Sequence, residues 1–430
     1  MGGLVGDLAM GRSSGLAMVL LVCASAAAAQ TVAITNGKVY TISGAAIERG
    51  TVLIRNGKIA AVGANVAVPS DARVIDATGK IVTPGFMDSS TGLGTVEIGA
   101  AEGTNDQSTT DDRITAAFNV LDNLNPFSTL LAITRVEGIT RVVVAPQTGR
   151  SLIAGQGIVV QLNNQLSVDR NPVAMFAVLG EQAAGLSGGG ARSAAILRLR
   201  EALEDAKDYA AHRAQFESAQ RREYALSRLD LEALIPVVRG QLPLVIAANR
   251  ASDIRAALRI AREYNLKLIL SGVAEGPVIA REIADAGVTV MIDPMRNIPR
   301  FEALSITLEN AARLNAAGVN VVFASFDSHN ARNVKQLAGN AVSYGLPYDV
   351  ALRALTLAPA RLWGIADRYG SLEVGKDADV VVWSGDPLEL TTNAEHVFIA
   401  GQEQSKQTRQ EELFRRYRTL RADVPPAYIK

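Results

Sequence analysis

Histidine and cysteine are scarce in this sequence of 430 residues, which contains three histidines and one cysteine. The cysteine, Cys23, precedes a predicted cleavage site at Ala29, so the mature chain would contain none. Intramolecular disulfides, a thiol nucleophile and a thiolate metal site are then excluded. A catalytic zinc site usually has three protein ligands, and two or three of them are commonly histidine. The chain has histidines only at His212, His329 and His396. It therefore has few candidate ligands for such a site.

The sequence also lacks an excess of charge of either sign, because 43 lysines and arginines balance 43 aspartates and glutamates. Blocks of like charge are short. A surface that binds a polyanion needs clustered positive charge, so nucleic acid is not expected as a partner. The partners that remain are a small-molecule ligand or substrate, a second copy of the chain in a homo-oligomer, or a paralogous protein.

The first 29 residues differ in character from the rest of the chain. Arg12 precedes an apolar run at Leu16–Val22, and an alanine-rich segment follows up to Gln30. This order is typical of a signal peptide cleaved after Ala29. A membrane anchor is the alternative, but the strongly apolar run is shorter than the ~20 residues that span a bilayer. We therefore predict a signal peptide over residues 1–29, a periplasmic or secreted protein, and no membrane contact after cleavage.

Short β-branched runs separated by turn signals occupy both ends of the mature chain. From Thr31 to Val82 these runs alternate with the dipeptides Asn36-Gly37 and Asn56-Gly57, and Asn-Gly between such runs is a strong hairpin signal. The same pattern returns in Gly370–Trp383. We predict a small composite β-sandwich domain built from both chain ends, and a charged, helical tail after it. The predicted boundaries are 30–82 and 359–405 for the β-sandwich and 406–430 for the tail.

Apolar, strand-like runs alternate with helical patterns through the middle of the chain. Leu244–Ala248, for example, precedes a helical pattern over Ser252–Tyr264, and Val319–Ala324 follows another such pattern. Repeated strand–helix units predict an α/β fold with a parallel sheet. Their number over residues 83–358 favours a closed (β/α)8 barrel, the TIM barrel. On periodicity alone, an open, doubly wound sheet is the alternative.

Two segments resemble the passages by which proteins of the amidohydrolase superfamily enter and leave their barrel. Asp76–Asp88, which ends in Thr-Pro-Gly-Phe-Met-Asp, resembles the entry, and Thr356–Trp383 resembles the return to the β domain. The chain is similar in particular to the imidazolonepropionase-like branch. The resemblance implies an amidohydrolase-type (β/α)8 barrel and hydrolysis of non-peptide C–N bonds of the cyclic amide type. It also implies one or two divalent metals, such as zinc, that lower the pKa of a bound water.

The metal-ligand positions implied by this resemblance are occupied by other residues. The family's His-x-His after the first barrel strand is replaced by Ser90 and Gly92. Ala247 stands where a histidine is expected after the fifth strand, and the position after the sixth strand falls on Ser271 or Gly272. The segment assigned to the fourth strand has no lysine. We therefore predict a degenerate metal site and no metal cofactor, although the family implies a zinc-like ion.

Asp327 is the one family ligand that the sequence retains, and His329 lies two residues further on. On an extended segment the two side chains would share a face, where a carboxylate and an imidazole could act as an acid–base pair. We therefore predict Asp327 and His329 as the catalytic residues. The alternative is that both are exposed loop residues satisfied by local hydrogen bonds.

Two functions are compatible with these observations. The first is an exported hydrolase of C–N bonds, in which Asp327 accepts a proton and any metal is held weakly or by substitute ligands. The second is a catalytically inactive relative, a pseudoenzyme, that binds a small ligand or an intact paralogous amidohydrolase. The family resemblance favours the first function, and the replaced ligand positions favour the second.

Overall fold

The computed structural model of the protein describes residues 31–296 and 298–418. The predicted signal peptide (residues 1–29) and the end of the predicted tail (419–430) lie outside these residues. The described chain forms two eight-stranded sheets, together with the helices that accompany them. No helix within the described ranges is both long enough and apolar enough to cross a membrane.

Strands and α-helices alternate one for one between residues 228 and 343. The strands are β1 (Val32–Val39), β2 (Ile47–Arg55), β3 (Lys58–Gly63), β4 (Arg73–Asp76), β5 (Ile81–Pro84), β6 (Phe86–Thr91), β7 (Ile139–Val144), β8 (Ile153–Gln161), β9 (Val168–Val178), β10 (Leu244–Ala248), β11 (Leu268–Gly272), β12 (Thr289–Ile292), β13 (Val321–Phe323), β14 (Val380–Trp383), β15 (Ala394–Ile399) and β16 (Gln402–Glu403). The α-helices are α1 (Thr129–Arg135), α2 (Glu181–Leu186), α3 (Arg192–Glu217), α4 (Arg228–Val238), α5 (Ala251–Tyr264), α6 (Ala280–Asp285), α7 (Asn310–Ala316), α8 (Val334–Ser343), α9 (Tyr348–Ala354), α10 (Leu357–Leu362) and α11 (Arg409–Tyr417).

Strands β6 to β13 form the barrel sheet and lie side by side in the order of the sequence. They all run in one direction except β8, which is antiparallel to both β7 and β9. Parallel neighbours need a crossover connection of about a dozen residues or more, and the segments that flank β8, 145–152 and 162–167, are shorter. The predicted α/β barrel with an additional β domain is confirmed. Its third strand departs from the (β/α)8 scheme because no helix separates it from its neighbours.

The barrel closes between β6 and β13 through a buried side chain. The carboxylate of Asp88 in β6 accepts hydrogen bonds from the backbone N–H groups of Ser90 and Ser325, both at 3.1 Å, and from the Ser325 hydroxyl. The backbone N–H of Phe326 donates to the carbonyl of Ser90 at 3.0 Å. Within the described residues, no backbone ladder pairs β6 with β13. These bonds take the place of the ladder at the seam.

Strands from both ends of the chain form the second sheet. β5 pairs with β1 on one side and with β14 on the other, where Val82 faces Val382 in antiparallel register. The indole N–H of Trp383 donates to the hydroxyl of Thr83 at 2.8 Å, across a separation of 300 residues. Buried residues from both ends of the chain share one apolar core. The prediction of a composite β domain is thereby confirmed.

A buried ion cluster joins the barrel to the composite sheet. Arg141 of β7 is fully buried, and its guanidinium donates to Asp379 at 3.0 Å and to Asp377 at 2.9 Å, two residues that lie just before β14. The same guanidinium pairs with Asp169 of β9 and lies 4.6 Å from the ring centroid of Tyr369. Because each buried charge has an opposite charge beside it, the cluster fixes the two sheets against each other.

Candidate functional site

A cavity of about 840 Å³ opens at the carboxyl ends of the barrel strands. This end of the barrel is where TIM-barrel enzymes place their active sites. Most of the polar side chains on the cavity wall are neutral hydroxyls and amides. They include Ser90, Gln107, Gln147, Asn249, Ser271 and Asn310. The wall therefore offers many hydrogen bonds and little charge.

The side chain of Gln107 fills the space beside Gly92, the second predicted ligand position after the first barrel strand. A Cβ atom added to Gly92 would lie 2.6 Å from the Oε1 atom of Gln107. Gln107 is buried, and its Nε2 group donates to the carbonyl of Ala145 at 2.7 Å. Ser90, the first of the two positions, lies on the cavity wall. A neutral amide thus occupies the place of a histidine side chain.

The side chain of Asn249 fills the space beside Gly272 at the end of the sixth barrel strand, as Gln107 does beside Gly92. A Cβ atom added to Gly272 would lie 2.6 Å from the Oδ1 atom of Asn249. Gly272 has a φ of +83°, a backbone conformation in which other residues are strained. Ala247 and Ser271, the other predicted positions on strands five and six, line the cavity. The strand ends are therefore where the resemblance implies, and the side chains of Ala247 and Ser271 are a methyl group and a hydroxymethyl group.

The residues at these positions do not fit the divalent metal that the resemblance implies. Zinc in proteins is bound by imidazole, thiolate or carboxylate groups, whereas Ser90, Ala247 and Ser271 at the implied positions carry only hydroxyl or methyl groups. In the described parts of the chain, no three histidine, cysteine, aspartate or glutamate side chains come together as a metal site. The cavity wall offers instead hydroxyl and amide groups, one carboxylate and two guanidinium groups.

The predicted catalytic residues Asp327 and His329 lie in the loop after β13. The Oδ1 atom of Asp327 accepts hydrogen bonds from the backbone N–H groups of His329, at 2.7 Å, and Asn330, at 2.9 Å. His329 is exposed, and neither residue belongs to the cavity wall. The strand ends at Phe323, so the alternation expected for an extended segment does not apply to them. Their catalytic roles stay predictions.

Asp293 is the carboxylate that does line the cavity. It follows β12 directly and accepts a hydrogen bond from the backbone N–H of Met295 at 2.9 Å. Burial raises its pKa above the ordinary value, and the nearby Arg296, whose Nε atom lies 3.3 Å from the carboxylate, opposes that shift. The Arg296 guanidinium also lies 5.3 Å from the ring centroid of Phe326. A raised pKa makes the ionised carboxylate a stronger base, so Asp293 is a candidate for proton transfer.

Asn310, at the start of α7, is a buried cavity residue with incomplete hydrogen bonding. Its Nδ2 group donates to the carbonyl of Val273 at 3.2 Å. Its Oδ1 atom is buried and has no donor among the described residues. A buried acceptor without a partner costs about 1–3 kcal/mol, so a water or a ligand is expected to supply a donor there.

The segment after Asp293 passes along the cavity, and we call residues 294–296 and 298–304 the strap. Arg296, Ile298 and Arg300 of the strap line the cavity. Its far end is held by the buried Glu302, which accepts a hydrogen bond from the backbone N–H of Glu181 at 3.2 Å and pairs with Arg192. The strap is thus attached to the barrel on both sides of Arg300.

Sequence reasoning missed Asp293, Gln107 and the strap. Asp293 had a usable signal, because it directly follows the apolar run Val288–Ile292, and polar residues at the carboxyl ends of barrel strands are candidates for function. Gln107 lies in a long polar loop without periodicity. Only the folded chain brings this residue beside Gly92.

Comparison with known protein sequences finds similarity to amidohydrolases. The model of the amidohydrolase family matches residues 202–408. Amidohydrolase tasK of Hapsidospora irregularis is 26% identical over 389 residues, which make up 82% of this chain and 39% of that protein. A dihydroorotase of Mycobacterium tuberculosis is 50% identical over 46 residues, or 11% of each chain. These matches therefore span well under half the length of the curated relatives.

Solved structures give a similar result. An amidohydrolase from Thermotoga maritima is 28% identical, with a TM-score of 0.78 over 87% of this chain and 100% of that one. Molinate hydrolase is 18% identical, with a TM-score of 0.56 over 88% of this chain and 95% of that one. The second similarity concerns the fold alone.

Proposed function

We propose that this chain, which is similar to members of the amidohydrolase superfamily, binds a small polar molecule in the barrel cavity by hydrogen bonds rather than through a metal. One observation carries the proposal: amide groups fill the space beside two of the family's ligand positions. Gln107 lies against Gly92, and Asn249 lies against Gly272. A side chain at either glycine would meet an amide that is already present, and this supports a contact other than metal ligation.

The size and polarity of the cavity support a small-molecule ligand. Its volume of about 840 Å³ lies within the range of about 300–1,000 Å³ that ligand pockets usually have. Apolar side chains such as Phe176 and Met291 form part of the wall, and the neutral polar groups are distributed among them. Such a wall can enclose an organic molecule and orient it by hydrogen bonds.

Hydrolysis of a non-peptide C–N bond is a second candidate, and Asp293 is the observation that favours it. This carboxyl group lines the cavity, and burial raises its pKa. A carboxylate in such a position can accept a proton from an attacking water. On this reading the proton acceptor is Asp293 on the cavity wall rather than Asp327 in the outer loop.

Metal analysis of the purified full chain tests the first candidate. The protein would be produced in medium supplemented with zinc, manganese and iron, and its metal content measured by mass spectrometry. We expect well below one equivalent of each metal, with the same content in a Ser90→Ala variant. A stoichiometric metal that is lost in Ser90→Ala or Asp327→Ala would contradict the proposal.

Turnover separates the two candidates. A panel of cyclic amides would be incubated with the protein after treatment with a chelator. Hydrolysis that is lost in Asp293→Asn but retained in Asp327→Ala would support the second candidate. Binding without turnover, in both the wild type and Asp293→Asn, would support the first.

We also propose that the chain is exported, on the strength of the apolar run at Leu16–Val22 and the small residues that follow it. Signal peptides with this arrangement are removed after a short small-residue motif. N-terminal sequencing of the protein isolated from its native host is expected to begin at Gln30. A mature protein that retains Cys23 would show that this segment is not cleaved as proposed.

A further inference from the structure

We propose that the ligand of this cavity is a small organic carboxylate and that Arg300 binds its carboxylate group. This inference rests on the proposed binding function and specifies the chemical class of the ligand. It depends on three features of the wall: the balance of charge, the attachment of the strap, and the unpaired acceptor of Asn310.

The charged groups of the wall leave one positive charge in excess. The wall contains one carboxylate, that of Asp293, and two guanidinium groups, those of Arg296 and Arg300. Asp293 and Arg296 pair with each other at 3.3 Å. Within the described ranges, no carboxylate forms a salt bridge with Arg300. A monoanion would balance this charge, and the planar guanidinium matches the geometry of a carboxylate.

The attachment of the strap keeps Arg300 near the cavity before any ligand arrives. On one side, Asp293 accepts a hydrogen bond from the backbone of Met295 and pairs with Arg296. On the other side, Glu275 accepts hydrogen bonds from the backbone N–H groups of Leu304, at 3.0 Å, and Ser305, at 3.4 Å. A side chain whose backbone is already held loses less entropy on binding. Arg300 is therefore a favourable anchor even though it is exposed.

Asn310 indicates what the rest of the ligand must offer. Its Oδ1 atom is buried without a donor, while its Nδ2 group is already engaged with Val273. An N–H or O–H group of the ligand, directly or through one water, would complete the hydrogen bonding. The apolar side chains of Phe176, Met291 and Ile306 line the same cavity. The ligand is thus a carboxylate with an apolar body and a hydrogen-bond donor.

The test compares acids with their own amides. The full chain would be screened by ligand-observed NMR against a panel of small carboxylic acids, each paired with its primary carboxamide, and the best pair would be titrated by calorimetry. We expect the acid to bind about tenfold or more tightly than the amide, as one charge-assisted hydrogen-bonded pair provides. In Arg300→Gln the acid and the amide are expected to bind equally. Arg281→Gln, a change at an exposed arginine outside the cavity wall, is the matched control and should keep the preference.

Different results identify which proposal fails. If acids and amides bind the wild type equally, and a bulky Ala247→Phe or Ser271→Leu change in the cavity abolishes both, the binding function stands and the carboxylate inference is overturned. If neither series binds, or if binding survives both cavity changes in folded protein, the binding function falls and the inference falls with it. A preference for acids that persists in Arg300→Gln would overturn the role of Arg300.

Discussion

The carboxylate of Asp88 accepts hydrogen bonds from both the backbone N–H and the hydroxyl of Ser325, and this contact joins the first strand of the barrel to the loop after the last. Burial raises the pKa of Asp88 to about 7, although its hydrogen bonds with Ser325 and Ser90 oppose that shift. In the family motif, Asp88 precedes the metal-ligand pair. In this chain it closes the barrel two residues before Ser90, which lines the cavity.

The raised pKa of Asp88 predicts that ionisation of this group lowers stability as the pH rises. The folded chain keeps the Asp88 proton up to about pH 7, while the unfolded chain loses it near the ordinary value of 3.8. The contribution is therefore most favourable below about pH 4 and declines between about pH 4 and 7. Asp88→Asn removes the titration. Relative to wild type, we expect the unfolding free energy of the variant to rise by about 2–3 kcal/mol from about pH 5 to about pH 8.

Urea denaturation at the two pH values measures this difference. Asp285→Asn, which changes an exposed carboxylate on α6, is the matched control and should follow the wild type. Parallel stability curves for wild type and Asp88→Asn would show that Asp88 does not titrate in this range.

The contact between Gly92 and Gln107 predicts a coupled pair of substitutions. A Cβ atom on Gly92 would lie 2.6 Å from Oε1 of Gln107, whose amide is held by the carbonyl of Ala145. We expect Gly92→Ala to cost about 1–2 kcal/mol, because Gln107 must shift and strain its hydrogen bond. Once Gln107→Ala has made room, adding Gly92→Ala should cost much less. A double-mutant cycle from thermal or urea unfolding measures the coupling, and strictly additive effects would contradict the geometry.

The position of Asp327 predicts a structural effect without a binding effect. Its carboxylate accepts hydrogen bonds from the backbone of His329 and Asn330 and lies outside the cavity wall. Asp327→Ala is expected to lower the unfolding free energy by about 1 kcal/mol, as the loss of a capping side chain does. Ligand affinity, measured by calorimetry, should not change. Loss of binding or turnover at unchanged stability would instead establish Asp327 as a residue of the active site.

The ion cluster around Arg141 predicts the largest loss of stability. Replacing Arg141 by methionine would leave the carboxylates of Asp169 and Asp379, whose side chains are only 3% and 2% exposed, without their main partner. Removal of one partner of a buried pair costs about 3–5 kcal/mol. Arg141→Lys keeps the charge but not the forked geometry and should lose less. Equal stability of the methionine variant and the wild type in urea would show that the cluster does not hold the two sheets together.

The apolar runs of the sequence predicted the barrel strands because a buried strand is a short, continuous run of apolar residues. Leu244–Ala248, for example, is β10 with the same boundaries. The direction of β8 could not be predicted in this way, because a parallel strand and an antiparallel strand can have the same apolar sequence pattern. What decides the direction is the length of the flanking connections, which contain no helix.

Two Asn-Gly dipeptides show that the local turn signal does not always predict a hairpin. Asn56-Gly57 forms the predicted turn between β2 and β3, with positive φ at both residues. Asn36-Gly37 lies inside the single strand β1, at an irregularity in its pairing with β2. A Cβ atom on Gly37 would lie 2.9 Å from a side-chain carbon of Val82. Close packing against β5, a tertiary effect, explains the second glycine.

The sequence predicted where the candidate site lies in the barrel, but not all of the residues that form its wall. Ser90, Ala247 and Ser271 line the cavity as their places at the strand ends imply. Gln107 reaches the cavity from a loop whose course the sequence does not reveal. The absence of histidine at the implied positions was therefore visible in the sequence, whereas the amide groups that lie beside Gly92 and Gly272 emerged only from the fold.

The composite sheet has a consequence for the order in which the protein can be completed. β5 pairs with β14, and the hydroxyl of Thr83 bonds to an indole 300 residues later. Until the C-terminal segment has left the ribosome, one edge of β5 has no neighbour, and open strand edges are sites of aggregation. Contacts this distant in sequence also slow folding. A chain truncated before β14 is therefore expected to aggregate even though every barrel strand is present.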